Sequence, residues 1–185
     1  MTVTALVIAL VVIVVIAAVV IRYLLQQQRR RTELREHFGP EYDHAVETYG
    51  EQDRAEKELA QRQERVAALH IHTLQPEESR RYSERWRQVQ TRFVDDPERA
   101  IQDADHLCAE VMEARGYPMG DFEQRAADIS VDHPSVVEHY RTAHAIAQRA
   151  DNGDASTEEL RQAMVHYRTL FEDLIQIEAR VENAA

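Results

Sequence analysis

From Val3 to Ile21 the chain places 19 consecutive residues of which only Thr4 is polar, and Arg22 ends the run. In a helix rising about 1.5 Å per residue that run reaches roughly 28 Å, near the thickness of a bilayer's hydrocarbon core. The segment reads as a membrane anchor, with Val3, Leu6, Ile8, Val11, Ile13, Ile16, Val20 and Ile21 as its anchoring side chains. Tyr23 then offers an interfacial ring. Gln26, Gln27 and Gln28, followed by Arg29, Arg30 and Arg31, form a polar, basic collar.

No charged side chain precedes the run, whereas Arg22, Arg29, Arg30, Arg31 and Arg35 follow it closely. Moving that cluster across against the membrane potential is unfavourable, so the arginines set the topology. The expected arrangement is single-pass, N-terminus outside, with everything after Arg22 in the cytoplasm. The rival is an exported, secreted form with a cleaved signal. It would need a positive charge ahead of a shorter apolar core, although Ala17 and Ala18 are small enough for a peptidase. Four segments follow from this: anchor 1–25, collar and stalk 26–38, an acidic helical domain 39–178, and a frayed tail 179–185.

Five arginines against Glu33 give the first 35 residues +4, so the net charge of −11 leaves −15 for the remainder. So acidic a body repels phosphate backbones, which excludes nucleic acid as a partner and favours protein partners with basic surfaces. The bilayer is the other expected partner. Cys108 is the only cysteine, so neither an internal disulfide nor a cysteine metal cluster can form.

Breakers and periodicity divide the domain into helices without any strand-like alternation. Gly39-Pro40 interrupts the stalk, and Tyr42, Val46 and Tyr49 share one face of a short segment ending at Gly50. From Asp53 to Leu69 the stripe of Ala55, Leu59, Val66 and Leu69 is broken by Arg62 and Gln63, a weak amphipathic pattern. Pro76-Glu77-Glu78 starts a clearer helix, whose Tyr82, Trp86, Val89 and Phe93 form one buried stripe. Asp96 caps a helix buried through Ile101, Ala104, Cys108, Val111 and Met112 and stopped at Gly116. A short helix is expected over Phe122, Ala126 and Ile129, and another opened by Pro134 and running to Arg149. Ser156 and Glu159 form a capping box for a last helix with Leu160, Ala163, Met164, Tyr167, Leu170, Phe171 and Leu174 inward. The fold class is all-α: a membrane helix followed by a multi-helix bundle of about five to seven helices.

Nine histidines invite a metal reading, but His139 and His144 lie five apart and diverge by about 140° on a helix. Neither makes the i, i+3 or i+4 spacing that a helical metal site uses, so His133, His139, His144 and His166 read as structural. Asp128, Ser130 and Asp132 imitate the start of a calcium loop, but His133 stands where the loop needs glycine and His139 where it needs glutamate. The acidic pairs Glu77-Glu78, Asp95-Asp96 and Glu158-Glu159 all sit at helix starts, where the dipole favours them. A buried Cys108 in an acidic setting is held as a thiol rather than activated. No catalytic residue, metal or cofactor is therefore assigned. The loop from Gly116 to Phe122 gathers Tyr117, Met119 and Phe122, and is the expected interaction patch.

Four strings, Phe38-Gly39-Pro40-Glu41-Tyr42, Tyr82-Ser83-Glu84-Arg85-Trp86, Arg92-Phe93-Val94-Asp95-Asp96-Pro97 and Asp121-Phe122-Glu123-Gln124-Arg125-Ala126-Ala127-Asp128, carry a resemblance. In these the chain resembles an uncharacterised family of bacterial membrane-anchored or secreted helical proteins, over about Phe38 to Leu174. The resemblance implies a bacterial envelope or membrane setting and brings no activity, cofactor or catalytic residue.

Together these features describe a membrane-tethered helical interaction or scaffolding module. A metal- or ligand-dependent helical-bundle enzyme or binder, using the histidines, is the alternative.

Overall fold

Gly39 adopts φ 52°, and there the chain leaves one long helix, α1 (Thr2–Phe38), and enters α2 (Pro40–Tyr49). Proline in the first turn of α2 suits a position whose N–H has no intrahelical partner. The computed structural model describes residues 2–182, with side chains for Leu10 and for 14–175. Six helices follow: α3 (Gln52–Ala67), α4 (Pro76–Asp95), α5 (Pro97–Ala114), α6 (Phe122–Asp132), α7 (Val137–Asp151) and α8 (Thr157–Glu182). Among the described residues there is no strand, and the all-α expectation holds.

Two apolar cores organise the bundle. The larger lies between α4, α5, α7 and α8, where Tyr82, Trp86, Ile101, Leu107, Met112, Tyr140, Tyr167, Leu170 and Phe171 are buried together. Trp86 stacks on Phe171 with ring centroids 4.7 Å apart. The smaller core joins Leu34 and Phe38 of α1 to Tyr42 and Ala45 of α2, Ala55, Leu59 and Val66 of α3, and Val131 of α6. The stretch from Arg31 to Phe38 is therefore built into the domain as well as linking the collar to it. Arg31 donates from Nε to Glu56 Oε1 at 2.8 Å, and His37 Nε2 lies 2.9 Å from the Val131 carbonyl oxygen.

The helix starts follow the expected chemistry. The Asp96 side chain accepts from Arg99 N, and Asp121 accepts from Gln124 N at 2.8 Å. Ser156 and Glu159 close their capping box, each side chain accepting from the other's backbone N–H. Gln75 and Glu78 form a further box at α4, one the proline and acid signals there did not single out. Gly116 is confined twice over: its φ is 97°, and a Cβ there would stand 2.6 Å from the His70 carbonyl oxygen. That close approach lets the segment before α4 lie against the end of α5, where His72 N donates to Arg115 O at 3.0 Å.

One expectation changes. Pro134 does not open α7, which starts at Val137 after a turn closed by Val136 N and His133 O. His133 is fixed in the interior by Arg115 and Asp173, so the chain turns there before a helix can begin. The helix expected from Asp53 to Leu69 is α3, which buries Arg62 and Glu56 among its apolar residues.

On α1, Leu10, Val14, Val15, Ile16, Val19, Val20, Ile21, Leu24 and Leu25 are all between 48% and 62% exposed. Among the described residues no helix is long and apolar enough to cross a membrane. The side chains of Val3, Leu6, Ile8, Val11 and Ile13 lie outside the described residues, as do the side chains of the expected tail 179–185.

Candidate functional site

Glu41 stands in the first turn of α2 and is buried against α3 and α7. Its carboxylate is fully buried and accepts, on the single oxygen Oε1, from Arg62 Nη1 at 2.7 Å and Arg141 Nη2 at 3.0 Å. Beside this triad Arg65 donates from Nε to the buried Asp128 at 2.9 Å, and Gln124 donates to the same Asp128 oxygen. Glu123 on α6 accepts from Arg141 Nη1 at 2.9 Å, at the mouth. Burial works to lower the pKa of Arg141, but Glu41 and Glu123 outweigh it and hold the guanidinium charged.

Arg62, Arg65, Glu123, Gln124 and Arg141 line an open cleft of about 690 Å³ between α2, α3, α6 and α7, with Glu41 and Asp128 buried behind them. Phe122 and His144 form one wall, their rings stacked at 3.7 Å, and Tyr49 stands in the lining. Four buried polar atoms of the network, Arg62 Nε, Arg141 Nε, Glu41 Oε2 and Asp128 Oδ2, have no hydrogen-bond partner among the described residues. Buried polar groups ordinarily find partners, so the network is incompletely satisfied by the side chains around it.

The residues of the expected interaction patch separate. Tyr117 is buried in the larger core and donates from its hydroxyl to Asp132 at 2.6 Å. Burial, then Asp132, raises its pKa. Phe122 is half-buried in the cleft wall, and Met119 alone of the three is exposed. Of the collar, Arg22, Arg29 and Arg30 are exposed, while Arg31 joins the α1–α3 contact.

The histidines serve three different neighbourhoods. His133 is buried between Arg115 and Asp173. His144 Nδ1 lies 3.5 Å from Asp105, which also accepts from the Tyr167 hydroxyl at 2.8 Å. Burial pushes Asp105 up, but His144 and Tyr167 overcome it and its pKa falls below the usual carboxylate range. Tyr140, buried beside Asp105, is pushed up to about 12. His139 and His166 meet across α7 and α8 with their Nδ1 atoms 2.8 Å apart. Burial and then the charge of His139 lower the pKa of His166. Among the described residues no three or more His, Cys, Asp or Glu side chains are grouped to hold a metal. Cys108 lies buried 3.8 Å from the Tyr167 carbonyl, and burial followed by Asp105 raises its thiol well above the ordinary value.

Sequence spacing concealed the cleft. Arg141 and Glu41 are 100 positions apart, and Arg65 and Asp128 63. The one local signal was an arginine on the apolar stripe of α3. No family model, curated protein or solved structure matches this chain.

Proposed function

We propose that the protein is a single-pass, membrane-tethered helical interaction and scaffolding module of a bacterial cytoplasmic membrane. Its N-terminus lies outside and its acidic domain in the cytoplasm, where it meets protein partners with basic surfaces. The observation that supports this reading is the unbroken helix α1, apolar and exposed at one end and built into the smaller core at the other. A helix apolar on all sides needs an apolar surrounding. From Val14 to Ile21 every residue is apolar, and the sequence continues so back to Val3 with Thr4 as the one polar residue.

The collar fits the same reading. Arg22, Arg29 and Arg30 stand exposed where anionic headgroups and the positive-inside rule favour them. Because Leu34, Phe38 and Arg31 fasten the helix to the domain, anchor and domain turn together, without a slack linker between them. Confinement to the membrane plane raises the effective concentration of the domain for neighbours held in the same plane.

The test is extraction of cell membranes containing the full chain with alkaline carbonate, followed by mass analysis of the protein recovered. The intact polypeptide should stay in the membrane pellet, and the paired substitution Ile16→Arg and Val20→Arg should release it. Mature protein in the medium lacking residues 1–21 would overturn the reading.

A further inference from the structure

We infer that the groove between α1 and α3 seats the headgroup of an anionic glycerophospholipid of the cytoplasmic leaflet, with its phosphate between Arg30 and Lys57. This rests on the membrane-anchor reading and adds a specific lipid contact to it. Tyr23, Gln26, Gln27 and Arg30 recur at i, i+3, i+4 and i+7, so they share one face of α1. With Lys57 of α3, the only lysine in the chain, they line an open groove of about 430 Å³. Asp53 and Glu56 line it too, and both are taken by Arg31, whose Nε donates to Glu56 at 2.8 Å and whose Nη2 stands 3.5 Å from Asp53. Counting Arg31, three cations meet two carboxylates. The surplus falls on Arg30 and Lys57, which are exposed and make no ion pair among the described residues. The amides of Gln26 and Gln27 add uncharged donors beside them.

Depth along the anchor selects a lipid as the source of the phosphate. Leu24 and Leu25, the last apolar residues before the glutamines, are 50% and 54% exposed and extend the apolar surface of α1 to the edge of the groove. Arg30 follows Leu25 by about 7.5 Å along the helix, the depth of one headgroup layer. The start of α3 lies toward the same layer. Arg31 meets Asp53 and Glu56 in its opening turns, while Leu59 and Val66 further along share the core of Leu34 and Phe38, away from the bilayer. Lys57 therefore stands near the level of Arg30, a point charge beside a planar fork, and each suits a phosphate oxygen. Arg29 differs: one residue before Arg30, it points about 100° away on the helix and lines no part of the groove.

The experiment places the full chain in phosphatidylcholine nanodiscs with or without phosphatidylglycerol and follows acetylation of Lys57 by an amine-reactive ester, read by peptide mass. Phosphatidylglycerol should slow the reaction about fivefold. Arg30→Gln should remove most of that protection, whereas Arg29→Gln, the same charge change on another face, should leave it in place. Inorganic phosphate added to phosphatidylcholine nanodiscs should protect little. Co-flotation with phosphatidylcholine vesicles scores the anchor separately. A chain that fails to float overturns the anchor and this inference with it. A chain that floats while Lys57 reacts equally in both lipids overturns the lipid contact alone. Equal loss of protection in Arg29→Gln and Arg30→Gln would reduce the effect to general surface charge, and protection by inorganic phosphate as strong as by phosphatidylglycerol would make the site one for a free anion; either result overturns the inference.

Discussion

Arg62 on α3 donates to Glu41 on α2 at 2.7 Å, with both side chains almost wholly withdrawn from water. Two charges in such a setting hold each other in place, and neither is tolerated without the other. The smaller core is thus an apolar cluster beside an internal ion pair, and the pair fixes where α2 sits on α3.

Removing one partner should be far worse than an ordinary surface change. Arg62→Met is expected to lower the unfolding free energy by about 3 kcal/mol, because Glu41 is left with a poorer set of donors in a dry site. Glu41→Gln should cost at least as much, since its amide oxygen still accepts but leaves both Arg62 and Arg141 without the buried charge that balances them. Urea denaturation of the full chain in neutral detergent measures both. Equal, small losses would show that the pair contributes little.

Gly116 and Gly153 separate two effects of a missing side chain. Both have positive φ, 97° and 73°, but only Gly116 has a carbonyl oxygen where a Cβ would go. Gly153→Ala should cost about 1 kcal/mol from backbone conformation alone. Gly116→Ala should cost about 2–3 kcal/mol, since it adds a collision with His70 to the same strain. Comparing the two unfolding midpoints checks the order.

The His139–His166 contact makes stability depend on pH in one direction. His166 has a folded pKa below its ordinary value of 6.5, through burial and then the charge of His139. Between that ordinary value and the lower folded one the unfolded chain binds more protons, so stability rises with pH across the window and falls on acidification. Also facing the pair is Glu138, which acts the other way on His166 and narrows the window. His166→Gln should flatten the slope of unfolding free energy against pH just below 6.5, and a slope unchanged from the parent would remove the contact from the account.

The parts of the fold set by local chemistry were readable from the sequence. Asp96-Pro97 and the Ser156–Glu159 box start α5 and α8 as their residue types require, and Tyr82, Trp86 and Val89 line one buried face of α4. The parts set by distant partners were not. Arg62 interrupts the apolar stripe of α3 in the sequence because Glu41, which makes its burial acceptable, comes from another helix. His139 diverges from His144 on its own helix, and its neighbour is His166 on the next one. Tyr117 looked like a loop surface until Asp132 supplied an acceptor for its hydroxyl inside the bundle. Periodicity reads what one helix can do alone; it cannot see charge partners brought in by tertiary packing.

The central claim, a domain held on the cytoplasmic face by α1, is tested most directly at Val94. This residue is 83% exposed, while the native thiol of Cys108 is buried. In Val94→Cys protein a membrane-impermeant maleimide should leave the thiol unlabelled in intact spheroplasts and label it after the membrane is permeabilised. Full labelling in intact spheroplasts would contradict the account.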